Sequence, residues 1–125
     1  MSKVLVIDDD ELLLTLMCSF LIEAGYSVVS TADGPQGITI YDEQRPDLVL
    51  LDLGLPSMSG IAVLQVIRDI EPNAKVIVMT GYGSSESAEE AKRNGALDFV
   101  EKTIEQTVFL DKIRAAIEGP GNRTA

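Results

Sequence analysis

The sequence predicts a doubly wound α/β fold, in which five parallel strands alternate with five helices. Three observations predict it. Leu48-Val49-Leu50-Leu51 is an unbroken apolar run that ends in one carboxylate, Asp52, between Pro46-Asp47 and Gly54-Leu55-Pro56. Such a run reads as a strand buried on both faces, as in a parallel sheet covered by helices. Similar runs recur about every 25 residues, each followed by apolar positions at helical spacing, which is the alternation of βαβ units. The 125 residues suit one domain, able to bury roughly two-thirds of its unfolded surface.

Each element follows in order. Lys3 to Ile7 is a short apolar strand ending in Asp8-Asp9-Asp10-Glu11. Leu13, Met17, Phe20, Leu21 and Ala24 then recur at helical spacing, with Asp10 and Glu11 where the helix dipole favours anions. Gly25 stops that helix. Tyr26 to Thr31 is the second strand, and Asp33-Gly34-Pro35 opens a helix that ends before Pro46. After the strand to Asp52, Ser59-Gly60 starts a third helix carrying Val63, Leu64, Ile67 and Ile70, closed by Pro72-Asn73. Lys75 to Met79 is a strand ending at Thr80. Ser84 or Ser85 caps a helix running to Asn94-Gly95. Ala96 to Val100 is the fifth strand, followed by Glu101-Lys102. Thr103-Ile104-Glu105-Gln106 fits a capping box for a last helix through Ile117. The domain is expected to span 1–118, with 119–125 a breaker-rich, flexible tail.

Composition narrows the chemistry. Twenty acidic against ten basic residues argue against nucleic acid as a direct partner. The chain has no His, which excludes histidine acid-base catalysis and histidine metal ligation. Any metal is then held by oxygen, which favours Mg²⁺, Mn²⁺ or Ca²⁺ over zinc. A single cysteine, Cys18, excludes an internal disulfide and is expected to be a small buried hydrophobe. There is no charged-then-apolar leader and no apolar run near the length of a membrane span, so a cytoplasmic location and no membrane partner are expected.

Right-handed crossovers and two-sided burial put strands one and three at the centre of the sheet. Asp8 and Asp9, Asp52, Thr80 and Lys102 then all end strands on one edge, where open parallel sheets bind ligands. Carboxylates gathered there repel one another, and a divalent cation removes the conflict. Mg²⁺ commonly takes one or two carboxylates and leaves positions for a phosphate oxygen. Lys102 adds a point charge and Thr80 a hydroxyl donor, both suited to phosphoryl oxygens. The set suits a metal-bound phosphoryl group, with Asp52 as nucleophile and no base required.

Taken together, these residues resemble the receiver domain of two-component response regulators over residues 3 to 118. The resemblance implies a flavodoxin-like sheet of order 2-1-3-4-5. Asp8-Asp9 match the family's acidic pair, Asp52 its phosphoacceptor, Thr80 its switch hydroxyl, Phe99 its switch aromatic and Lys102 its phosphate-contacting lysine. It further implies that Asp52 takes a phosphoryl group from a phosphohistidine on a sensor kinase or phosphotransfer protein. Mg²⁺ would be held by Asp9, Asp52 and the Gly54 backbone carbonyl, with Asp8 orienting metal-bound water. Met79-Thr80-Gly81-Tyr82-Gly83 looks most like receivers of the nitrogen-regulation class, whose ATPase and DNA-binding domains this chain lacks; it reads as a stand-alone receiver or part of a longer protein.

The chain departs from the family pattern at three places. Thr103 follows Lys102 where proline is usual, Phe99 lacks the hydroxyl of the commoner tyrosine, and Gly54 contributes only backbone. Helix four offers only Ala88 and Ala91 as apolar anchors, and weakly anchored elements are the ones that shift. Phosphorylation is therefore expected to move Thr80, the loop after it and helix four. The surface presented by helix four, strand five and helix five is the expected partner face, for an output domain or a homodimer. Two rival readings are a receiver-like module that works without phosphorylation and a haloacid dehalogenase-type phosphatase using Asp8 and Asp10. In the second, Leu12 fills a position where Thr or Val is expected. A flavodoxin-like flavin binder is disfavoured by the anionic Asp8-Asp9-Asp10 after strand one.

Overall fold

The computed structural model describes residues 2–55, 58–81, 85–102 and 104–118, with the side chains of 85 and 86 left aside. The elements are β1 (Lys3–Ile7), α1 (Glu11–Glu23), β2 (Ser27–Thr31), α2 (Gly34–Gln44), β3 (Leu48–Asp52), α3 (Gly60–Ile70), β4 (Val76–Thr80), α4 (Ser85–Arg93), β5 (Asp98–Glu101) and α5 (Gln106–Glu118). All four strand pairings are parallel, and the sheet order is β2-β1-β3-β4-β5. The predicted fold and strand order are therefore those observed.

Strand alternation divides the core into two layers. Leu5, Ile7, Val49, Leu51, Val76 and Val78 face one side and pack with Tyr41 of α2, Val63, Leu64 and Ile67 of α3, and Ala91 of α4. Val4, Val6, Leu48, Leu50, Ile77 and Met79 face the other side, against Met17 and Leu21 of α1 and Phe109, Ile113 and Ala116 of α5. Every residue of β3 is buried. This is why its sequence is apolar without alternation until Asp52.

Local signals set most boundaries. Asp10, Asp33 and Ser59 cap α1, α2 and α3, their side chains accepting from the amides of Leu13, Gln36 and Ala62. Gly25 ends α1 at φ +102, with its amide donating to Ile22 O and that of Tyr26 to Leu21 O, the paired bonds of a left-handed cap. Tyr26 is thereby used by the cap, and β2 starts at Ser27.

Gly95 ends α4 in the same way, at φ +99. The C-terminal end of α4 is also tied to α3, since Gln65 Nε2 donates to Asn94 Oδ1 at 2.9 Å. Arg68 Nη1 donates to Ala74 O at 3.0 Å, and a Cβ on Gly95 would lie 2.5 Å from Arg68 Nε. Gly95→Ala is therefore expected to lose at least about 1 kcal/mol from backbone strain alone, read as a lower urea midpoint at an unchanged slope.

Three local expectations are corrected. The last helix does not start after Thr103, which lies outside the described residues. The Ile104 amide is taken by Glu101 O in a turn, and α5 begins at Gln106, with Glu105 O accepting from Phe109 N. Cys18 is half-buried rather than buried, and Ala24 is exposed at the cap of α1. Helix α1 is apolar around most of its circumference, so periodicity could not select its inward face; Leu12 and Leu16 are 72% and 54% exposed. On α4, Ala91 is buried and Ala88 half-buried, as expected.

Candidate functional site

The parallel register brings the predicted residues to one edge. Ile7 pairs with Leu51, Asp52 with Met79, and Thr80 with Glu101. The residues that end or follow β1, β3, β4 and β5 are consequently neighbours. The carboxylates of Asp8, Asp9 and Asp52 each offer an oxygen within 4.8 Å of the others. Asp8 is fully buried and Asp52 is 4% exposed, whereas Asp9 is open to solvent.

Lys102 joins this cluster from the end of β5. Its Nζ donates to Asp8 Oδ1 at 3.1 Å, stands 3.1 Å from Asp8 Oδ2 and lies 3.2 Å from Asp52 Oδ2. The Lys102 backbone is fixed as well, its amide donating to Thr80 O at 2.8 Å. A cavity of about 80 Å³ between α1, α5 and the sheet, lined by Leu13, Met17, Phe20 and Phe109 among others, reaches this lysine. Burial by itself would lower the Lys102 pKa. The hydrogen bond to Asp8 and the charges of Asp52 and Asp8 outweigh that effect and hold it above the ordinary lysine value.

The other contacts orient the carboxylates. Asp8 Oδ1 also accepts from Asp10 N at 2.9 Å, and Asp8 N donates to Thr31 O at 3.1 Å. Asp8 Oδ2 is buried and accepts no hydrogen bond. Asp52 Oδ1 accepts from Gly54 N at 3.1 Å. The only close partner of Asp8 Oδ2 among the described residues is the Lys102 ammonium at 3.1 Å, and three carboxylates gathered around one ammonium make a donor set for a hard divalent cation. Asp10, the second aspartate of the phosphatase reading, is engaged as the cap of α1.

Thr80 ends β4 half-buried, and Phe99 is half-buried on β5 against the core layer that includes Ala91. Tyr82, Gly83 and the Lys102–Thr103 bond lie outside the described residues. Gly60 was legible only as a helix start. It abuts the backbone of the segment that carries Asp52, for which Ser-Gly at a helix start gives no signal.

The family model for the response regulator receiver domain matches residues 4–114. The chain belongs to that family. This receiver is 36% identical over 117 residues to sporulation initiation phosphotransferase F of Bacillus subtilis, covering 94% of this chain and 91% of that protein. It is 32% identical to the transcriptional regulatory protein GlrR of Escherichia coli, of which it spans 26%. Among solved structures, a CheY-like receiver domain protein from Methanospirillum hungatei superposes with a TM-score of 0.90 at 28% identity, covering 94% of both chains. A Burkholderia pseudomallei response regulator crystallised with a phosphorylated aspartic acid and a calcium ion superposes with a TM-score of 0.83 at 25% identity, over 99% of this chain and 71% of that one. The protein is thus a two-component phosphoacceptor domain, a signalling receiver rather than a conventional enzyme, of a family that binds Mg²⁺ in an acidic cluster of this kind.

Proposed function

We propose that Asp52 is the phosphoacceptor of this receiver and that the domain catalyses its own phosphorylation and dephosphorylation. The observation that carries this reading is the meeting of Asp8, Asp9 and Asp52 within 4.8 Å with Lys102 Nζ, 3.2 Å from Asp52. Asp9, Asp52 and the Gly54 carbonyl would hold Mg²⁺, for which Mn²⁺ or Ca²⁺ could substitute, with Asp8 orienting metal-bound water. The cation would supply charge neutralisation for the phosphoryl oxygens.

In the transfer, a carboxylate oxygen of Asp52 forms a bond to phosphorus as the phosphorus–nitrogen bond to the donor imidazole breaks, and the imidazole leaves with the electron pair. A carboxylate has no proton to lose, so a crevice without histidine suffices. Lys102, already at Asp52, is placed to meet an incoming phosphoryl oxygen. Thr80, one strand away, supplies the hydroxyl that reads the new group, and Phe99 and α4 carry the change to the surface of α4, β5 and α5. The donor is a sensor kinase or phosphotransfer protein, and the recipient of the signal an output domain, an output protein or a second copy. The longer GlrR relative supports an output domain. No helix among the described residues is long and apolar enough to cross a membrane, which supports a cytoplasmic site of action, with no direct contact to nucleic acid.

The test is incubation of the chain with Mg²⁺ and acetyl phosphate, followed by intact-mass measurement. The wild type is expected to gain one phosphoryl group and Asp52→Asn none. Equal labelling of both removes Asp52 as acceptor.

A further inference from the structure

We propose that Gly60 is a positioning residue for phosphoryl transfer, acting through the backbone of Asp52 and Leu53; the inference rests on Asp52 being the acceptor. Gly60 is the first residue of α3, capped by Ser59 Oγ, which accepts from Ala62 N at 3.1 Å. The Gly60 amide reaches back to Leu53 O at 3.2 Å. A Cβ at this position would lie 2.5 Å from Leu53 Cα and 2.6 Å from Asp52 O. Among the described glycines, this is the one whose Cβ would meet backbone that closely. The corresponding contacts of Gly34, Gly37 and Gly95 are to side-chain atoms of Val63, Ile7 and Arg68 rather than to backbone.

A backbone contact can be relieved only by moving the end of β3 or the start of α3. Either movement reaches the acceptor. Asp52 is held from two sides, its Oδ1 by Gly54 N at 3.1 Å and its Oδ2 by Lys102 Nζ at 3.2 Å. Gly54 follows Leu53 directly, so displacement of Leu53 carries the Gly54 amide away from Oδ1 while Lys102 keeps hold of Oδ2. The carboxylate turns, and its attacking oxygen leaves the line to phosphorus. The same displacement moves the Gly54 carbonyl. Gly60 thus sets the acceptor geometry without touching a reacting atom.

The full chain is assayed with acetyl phosphate at saturating Mg²⁺, below all melting midpoints, with the Gly54 amide followed by ¹H–¹⁵N correlation. Gly60→Ala is expected to be phosphorylated roughly 10- to 100-fold more slowly, as for misplacement of a reacting group by part of an ångström, and to shift the Gly54 resonance. Ile67→Ala, which removes buried volume further along α3 without adding an atom against Asp52 or Leu53, is expected to lower stability but keep the wild-type rate and Gly54 position. Ser59→Ala loosens the same helix start without adding an atom and is expected to slow labelling roughly threefold; it decides the matter if Gly60→Ala does not fold. Labelled wild type beside an equally fast Gly60→Ala or, where that variant is unfolded, an equally fast Ser59→Ala overturns the inference alone. So does an Ile67→Ala chain slowed as much as Gly60→Ala. A wild type that takes no phosphoryl group overturns the acceptor reading and this inference with it.

Discussion

Asp52→Asn is expected to melt several degrees above the wild type in the absence of divalent cations, and to lose all thermal response to Mg²⁺. The cluster holds three carboxylates within 4.8 Å and one ammonium, so it carries an uncompensated negative charge in a site where Asp8 is fully buried and Asp52 nearly so. Two unit charges at that spacing repel by about 3 kcal/mol at an effective dielectric near 20. Asp52 has two such neighbours, about 6 kcal/mol in all, and loss of its attraction to Lys102 at 3.2 Å, about 5 kcal/mol on the same basis, offsets most of the relief. A net gain of about 1 kcal/mol raises the midpoint of a domain of this size by about 4 °C. The wild type should rise with added Mg²⁺ as binding stabilises the folded state. Calorimetry with chelator and then with Mg²⁺ reads both effects. A variant that melts below the wild type without cations, or that still responds to Mg²⁺, would show that the three side chains do not form one electrostatic unit.

Lys102→Met is expected to move three readouts in different directions. Without cations it should lower stability by about 3 kcal/mol, because buried Asp8 loses its counter-charge. Mg²⁺ affinity should rise about tenfold, since the cation no longer competes with the ammonium. Phosphorylation of Asp52 should slow by about 100-fold, as charge at the transferring phosphoryl group goes unanswered. The lysine also predicts a pH dependence. Its folded pKa lies above the ordinary 10.5, so its stabilising contribution is fully present below 10.5 and is lost as pH rises through the folded value. Tyr41 is likewise raised above 10.0, by burial and then by Glu71, and weakens the fold over the same alkaline range. Because both chains carry Tyr41, the wild type should show a steeper alkaline loss in urea melts than Lys102→Met. Equal slopes would remove the ion pair as a source of stability.

The strand ends were legible because burial and chemistry coincide there. β3 has to be apolar on both faces until its last residue, so Asp52 stands out against its own strand. Asp8, Thr80 and Lys102 became informative only once the sheet edge put them side by side. Strand order needed the family resemblance, since periodicity fixes which segments are strands and not which are neighbours. The start of α5 was misread because Thr103-Ile104-Glu105-Gln106 satisfies a capping pattern while a turn from Glu101 uses the Ile104 amide. Local pattern lost there to a longer connection. The partners of Lys102 were also hidden. The residue types suggested a phosphoryl oxygen, and the cluster shows the ammonium already shared between Asp8 and Asp52. Nothing in the composition of a helix start announces that Gly60 leans on the backbone of Asp52.

The ties between α3 and the far end of α4 have a geometric consequence. Gln65 holds Asn94 and Arg68 lies against Gly95, so that end of α4 is a fulcrum. A helix of nine residues is a lever about 13 Å long. A tilt of about 15° about the fulcrum would carry the Ser85 end, which lies five residues after Thr80, through roughly 3 Å with the Gln65–Asn94 bond intact. A sub-ångström adjustment beside the acceptor would then be read out as a swing rather than a slide.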